Sequence, residues 1–226
     1  MRQRLRIAAG GGFGFMVFYL IHIVLQGAGP RNASPMTVAV YYVQHNAQLL
    51  LSELANGLAL LAFIAFPAGL VPVVRGRGAD SEAVAIVVSC TAFVTLGLVS
   101  TAAEGALIRA SEKAFPAAIE ALNLFQGLVP VVLALAAVAA TTSAAILRSG
   151  LLPAWIGITG FAAAALFLLG FAASALGDTP ETRGSLFGVA VSLAWVGLVS
   201  GALWWRAGGP DTTQVITDWQ HEANSP

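Results

Sequence analysis

The side chains able to do chemistry in this chain are few and unevenly placed. His22, Gln26, His45, Asn46, Gln48, Glu53, Asn56, Glu104, Glu120, Asn123 and Gln126 fall at the same ends of the apolar segments. Glu53 and Asn56 stand three apart, as do Glu120 and Asn123, so each pair shares one helical face. Glu104 closes the third apolar segment, and His22 lies about one turn inside the end of the first. Glutamate and histidine ligate metals or relay protons inside helical bundles. Brought together, these residues would form a vestibule with three carboxylates and up to two imidazoles. His22, His45, Glu53, Asn56, Glu104, Glu120 and Asn123 are therefore candidate ligand-binding residues for an ion, a proton or a lipid-like group. A plainer role competes with this one. At about 1.5 Å per residue, Glu53 and Glu104 reach the limit of the hydrocarbon and Glu120 passes about 10 Å beyond it, where a carboxylate meets water. A histidine hydrogen-bonded between helices likewise needs no ligand.

Catalytic signatures are missing. Glu53-Leu54-Ala55-Asn56 lacks the histidine of the Glu-x-x-His pair that builds carboxylate-bridged metal sites. Glycine-rich phosphate loops, nucleophile elbows and His-Glu-x-x-His motifs are also absent, so no catalytic residue and no cofactor are implied. An enzyme would need a converging catalytic set, and its only candidates are the residues named above. Cys90 stands alone in an apolar run, which leaves neither a disulfide framework nor a thiolate cage within one chain.

The elements that must position these residues follow from composition. Of 226 residues, 58% are hydrophobic and 10% charged, against roughly a quarter charged in soluble domains. Eleven basic residues balance eleven acidic ones, so there is no basic excess to follow a nucleic acid. The expected fold is an all-α, polytopic membrane bundle. Six uncharged stretches have the length of about 20 residues that a span requires: Ile7–Leu25, Leu54–Val74, Ala83–Ala103, Gly127–Leu147, Trp155–Leu176 and Ser185–Trp205. Residues 1–206 then form the transmembrane domain, and 207–226 a short polar tail on the cytoplasmic side.

The basic start Met1-Arg2-Gln3-Arg4-Leu5-Arg6 precedes an apolar stretch longer than a signal core and lacks a clean cleavage site, so it reads as a retained first span. Arg2, Arg4, Arg6, Arg75, Arg77, Arg148 and Arg206 fall on one side, and Arg31, Arg109, Lys113 and Arg183 on the other. That bias predicts cytoplasmic amino and carboxyl termini. Trp155, Trp204 and Trp205 at inner span ends, with Tyr41 and Tyr42 on the outer side, read as interfacial anchors. Ten Arg against one Lys in an Ala-rich chain suggest a high-GC bacterial genome, in which the Asn32-Ala33-Ser34 acceptor is incidental.

Two spans are expected to continue on the outer side. Met36, Val40, Val43, Ala47, Leu50 and Leu54 form one apolar stripe, with Ser34 as N-cap and Pro35 in the first turn. Phe115, Ala118, Leu122, Phe125 and Val129 repeat the pattern behind Pro116. The two extensions would pack on each other or lie along the outer interface; the alternative for each is a separate interfacial helix joined to its span by a bend. Pro67, Pro72 and Pro130 are expected to kink their spans. Gly10 with Gly14, Gly184 with Gly188 and Ser192, and Gly197 with Gly201 have the spacing that lets helices approach in lipid.

The turn Arg148-Ser149-Gly150-Leu151-Leu152-Pro153-Ala154-Trp155-Ile156-Gly157 resembles that of a bacterial membrane family catalogued as domain of unknown function 4386. The family is similar in its basic amino terminus, its outer polar helix running into the second span, and its Arg-Ser-Gly-Leu-x-Pro turn before the fifth. Ala154 stands where a basic residue is common in it. The resemblance implies no activity and no catalytic residues. The leading functional expectation is a non-enzymatic plasma-membrane protein, an accessory or scaffolding subunit that contacts the lipid bilayer and a membrane-protein partner through small-residue faces. The alternative is a small binding or transport protein using the outer vestibule.

Overall fold

The computed structural model describes residues 1–27, 29–30, 33–128, 131–175 and 181–208. Eight helices follow one another and no strand occurs among the described residues: α1 Arg2–Gln26, α2 Pro35–Gln44, α3 Asn46–Arg75, α4 Asp80–Glu112, α5 Pro116–Leu128, α6 Val131–Ser149, α7 Ala154–Ala175 and α8 Glu181–Gly208. Six of them, all but α2 and α5, are long and apolar enough to cross a membrane. Val17, Leu61, Ile64, Val88 and Leu169 point outward from them. An apolar surface of this kind is stable against lipid and not against water, which makes the chain a multi-pass membrane protein. Arg31, Asn32, Val129, Pro130, Trp219 and the tail from 209 onward lie outside the described residues, as do the side chains of Gln126 and Arg183 and the surroundings of Gly184 and Gly188.

The six long helices pack in chain order around a closed ring, α1 on α3, α3 on α4, α4 on α6, α6 on α7, α7 on α8 and α8 back on α1. Short turns at 76–79 and 150–153 impose this order, since each joins neighbours that must run antiparallel. Arg77 ties the two turns together by donating to the carbonyl oxygens of Ser149 at 3.2 Å and Gly150 at 3.0 Å. The Arg-Ser-Gly turn is thus a structural joint. Gly150 supplies its left-handed residue (φ 57°), and the Ser149 hydroxyl accepts from the Leu151 amide.

Close approach in lipid falls at glycines offset from the expected spacing. A methyl on Gly11 would lie 2.6 Å from the backbone nitrogen of Phe66, and one on Gly69 would lie 2.5 Å from that of Ala8. The α1–α3 seam therefore closes backbone against backbone. Gly10 faces open space, while Gly14 only touches the Ala62 side chain. Spacing alone does not register which of several adjacent glycines points at a neighbour.

The two outer extensions become separate helices. Ser34 caps α2, its hydroxyl accepting from the Thr37 amide, and the chain turns at His45 before α3 begins. Pro116 opens α5. α4 also runs on to Glu112, beyond the expected end at Ala103. A satellite core of Val38, Ala39, Leu107, Ala110 and Ile119 binds α2 and α5 to this projecting part of α4. The stripe expected either to pack α2 on its neighbour or to lie along the outer interface faces away from the protein: Met36, Val40 and Val43 are 67, 47 and 52% exposed. With apolar residues on nearly every side of α2, periodicity did not decide which side packs. Pro67 and Pro72 both lie within α3, which continues past them to Arg75.

Candidate functional site

Three helices bring their polar residues to one level. His22 stands 20 residues along α1 from Arg2, Glu53 22 residues from Arg75 on α3, and Glu104 24 residues from Asp80 on α4. At about 1.5 Å per residue, each lies about 30 to 36 Å from the ends of the bundle that carry those charges. Antiparallel packing of α1, α3 and α4 therefore converts distant sequence positions into a single polar layer.

The layer is buried. His22, Glu53 and Glu104 are 7, 9 and 6% exposed, and Ser52 is completely enclosed. This corrects the expectation that the carboxylates reach water at the interface. Helix α2 and the overlong end of α4 cover the level where the hydrocarbon count alone would place solvent.

Within it, α1 and α3 are knotted by His22 and Ser52. The Ser52 hydroxyl donates to the His22 carbonyl oxygen at 3.0 Å and lies 2.9 Å from Nδ1 of the ring. The same Nδ1 stands 3.1 Å from the Ser52 carbonyl oxygen and 3.8 Å from Glu53 Oε1. Tyr19, one turn below, packs its ring 5.5 Å from that of His22. Asn56 donates to the Thr101 hydroxyl at 2.9 Å, joining α3 to α4, and both turn polar atoms toward the Glu53 carboxylate. Glu104 is close enough for its charge to act on Glu53. Among the described residues no Lys or Arg is paired with Glu53.

Helix α2 closes the layer from above. The Tyr42 hydroxyl donates to Glu104 Oε1 at 2.5 Å, and the Tyr41 hydroxyl donates to the Gln26 carbonyl oxygen at 3.1 Å. The Tyr42 hydroxyl is thus a latch to a buried acceptor and not the lipid anchor that its position had suggested, and half-buried Tyr41 ties α2 to α1 by the same device. Burial, then the neighbouring Glu104 charge, holds the Tyr42 phenol far above the ordinary tyrosine range, and the same causes raise Tyr41. Tyr42 is accordingly a permanent donor to Glu104.

Beneath the layer lies an aromatic floor. Phe15, Phe63 and Phe93 meet from α1, α3 and α4 with ring centroids 5.0 to 5.8 Å apart, and Phe15 stacks on Tyr19. Such packing excludes water from the path toward the opposite end of the bundle.

Not every candidate joins. His45 stacks on Tyr41 and bonds the Tyr41 carbonyl oxygen at the α2–α3 bend. Glu120 and Asn123 line a shallow groove with Pro35 and Val38, between α2 and α5. Nearby, Asn46 donates to Glu112, which also approaches Arg109. Sequence reasoning missed Ser52, Thr101 and Tyr42. Thr101 stands three residues before Glu104, the spacing that marked the other pairs, so a search for polar partners at that distance would have found it. Among the described residues no three His, Cys, Asp or Glu side chains converge to hold a metal ion. No family model, curated protein or solved structure matches the chain.

Proposed function

We propose that this chain binds a small cation, the proton included, between Glu53 and Glu104, as a binding or transport protein of the bacterial plasma membrane with both termini in the cytoplasm. One observation carries the reading: two glutamates share a buried layer, each within the other's field, and among the described residues Glu53 has neutral donors and His22 around it. Two carboxylates held together away from water call for a compensating positive charge. Their level favours exchange with the α2–α5 side, because the phenylalanine floor separates the layer from the other end. Transport in this reading requires that floor to part.

Ligand-linked stability tests the proposal. A ligand bound only by the folded state adds about 2.7 kcal/mol at a hundred times its Kd. Purified protein is unfolded in mixed micelles while protons, Na⁺, K⁺ and Ca²⁺ are varied in turn. Wild type is expected to respond to at least one of them, and Glu53→Gln and Glu104→Gln to lose that response. Equal responses in all three proteins, or none in wild type, would reject the site.

A second reading, the accessory subunit, draws support from Gly10 on α1 and Gly201 on the neighbouring α8, both facing open space where another helix could approach. Gentle extraction that recovers a stoichiometric partner would support it, and loss of that partner in Gly10→Leu would place the contact. Membership in the family with domain of unknown function 4386 stays a proposal resting on the 148–153 turn.

A further inference from the structure

We infer that α2 is a membrane-surface helix, seated by its outward apolar face in the headgroup and upper acyl region of the bilayer. The inference rests on the membrane location of the bundle and is independent of the cation reading. Helix α2, Pro-Met-Thr-Val-Ala-Val-Tyr-Tyr-Val-Gln, carries no charged residue. Its inner side is already occupied, since Val38 and Ala39 are buried in the satellite core and Tyr42 reaches Glu104. Its outer side, Met36, Val40 and Val43, is bare.

Continuity identifies the occupant. Beyond the bend at His45, past the exposed Gln44 and Gln48, α3 carries exposed Leu50, Leu54 and Leu61 on one helical face, without a charged residue among these three. Leu61 belongs to the lipid-facing belt of a spanning helix, so lipid is the medium that meets the α3 face immediately following α2. The level agrees. Leu50 lies 25 residues from Arg75, about 37 Å along the axis at 1.5 Å per residue, within a bilayer about 40–45 Å thick with its headgroups. A helix joined just above that point meets the interface, where amphipathic helices bury an apolar face about 5–10 Å deep. Exposure of this face to water would oppose the hydrophobic effect along the length of α2. The lid over the Glu53–Glu104 layer is therefore itself held by lipid.

Spin-label accessibility decides it. In a Cys90→Ala background, nitroxides are placed singly at Met36→Cys, Val40→Cys and Val43→Cys, with Leu61→Cys as the lipid reference and Lys113→Cys as the aqueous one. The protein is reconstituted at one copy per nanodisc. The inference expects oxygen collisions to rise and nickel-chelate collisions to fall at Met36, Val40 and Val43 relative to Lys113, so that their ratio approaches that of Leu61. Nickel-chelate collisions as frequent as at Lys113 would place the face in water and overturn the inference. Rare collisions with both reagents would mean that protein covers it, which also overturns it. Three sites on an exposed face guard against one label disturbing the fold.

Discussion

Replacing Ser52 by alanine deletes one oxygen from a fully enclosed position and adds nothing, so the cost is one of hydrogen bonding alone. The hydroxyl makes two contacts across the α1–α3 seam, to the His22 carbonyl oxygen at 3.0 Å and to His22 Nδ1 at 2.9 Å. Interhelical hydrogen bonds in membranes average about 0.6 kcal/mol and buried ones in soluble proteins about 1 kcal/mol, which puts the loss at about 1 to 2 kcal/mol. Nδ1 keeps the Ser52 carbonyl oxygen at 3.1 Å, and this retained bond prevents a larger loss. Ser200 is the matched control. It is equally enclosed but its hydroxyl has no partner among the described residues, so Ser200→Ala should be neutral or stabilising. Reversible unfolding in mixed micelles measures both. A shift of about 1.4 kcal/mol is tenfold in the folding constant, well above the scatter of such titrations. Equal losses for the two variants, or a larger loss for Ser200→Ala, would show that shape and not the His22–Ser52 knot holds the seam.

Two further outcomes follow from the same geometry. Gly69→Ala forces a methyl against the backbone of Arg4 and Ala8, which cannot yield as a flexible side chain would, and is expected to destabilise by about 1–3 kcal/mol or more, whereas Gly10→Ala enters open space and costs little in the same unfolding assay. Folding raises the Tyr42 phenol above its ordinary value, so its share of stability is complete below about pH 10 and is lost as pH climbs beyond, where the unfolded phenol ionises first. Stability measured against pH should thus fall more steeply above about pH 10 in wild type than in Tyr42→Phe, and parallel curves would contradict the latch.

How much of this was legible in the sequence depends on what each residue must satisfy. Spans were readable because lipid leaves no alternative to an apolar helix, and α1, α3 and α4 each contain their expected segment. The Glu53–Asn56 pair was readable because spacing of three fixes a shared face. Burial of Glu53 and Glu104 was not, since it depends on α2 folding back over them, and the turn at His45 has no strong breaker in the sequence. Tyr42 was misread for a related reason: a tyrosine near an interface suits either lipid or a buried acceptor, and only the position of Glu104, 62 residues away, decides. Glycine contacts failed at single-residue resolution, because Gly10, Gly11 and Gly12 are adjacent and only helix rotation selects among them.

Infrared difference spectroscopy on the reconstituted protein tests the central claim most directly. Exchanging the effective cation for an inert one should perturb carboxyl bands in wild type, with one component removed in Glu53→Gln and another in Glu104→Gln. A difference spectrum without carboxyl bands, or one unaltered by either substitution, would contradict the claim that these two glutamates hold the cation.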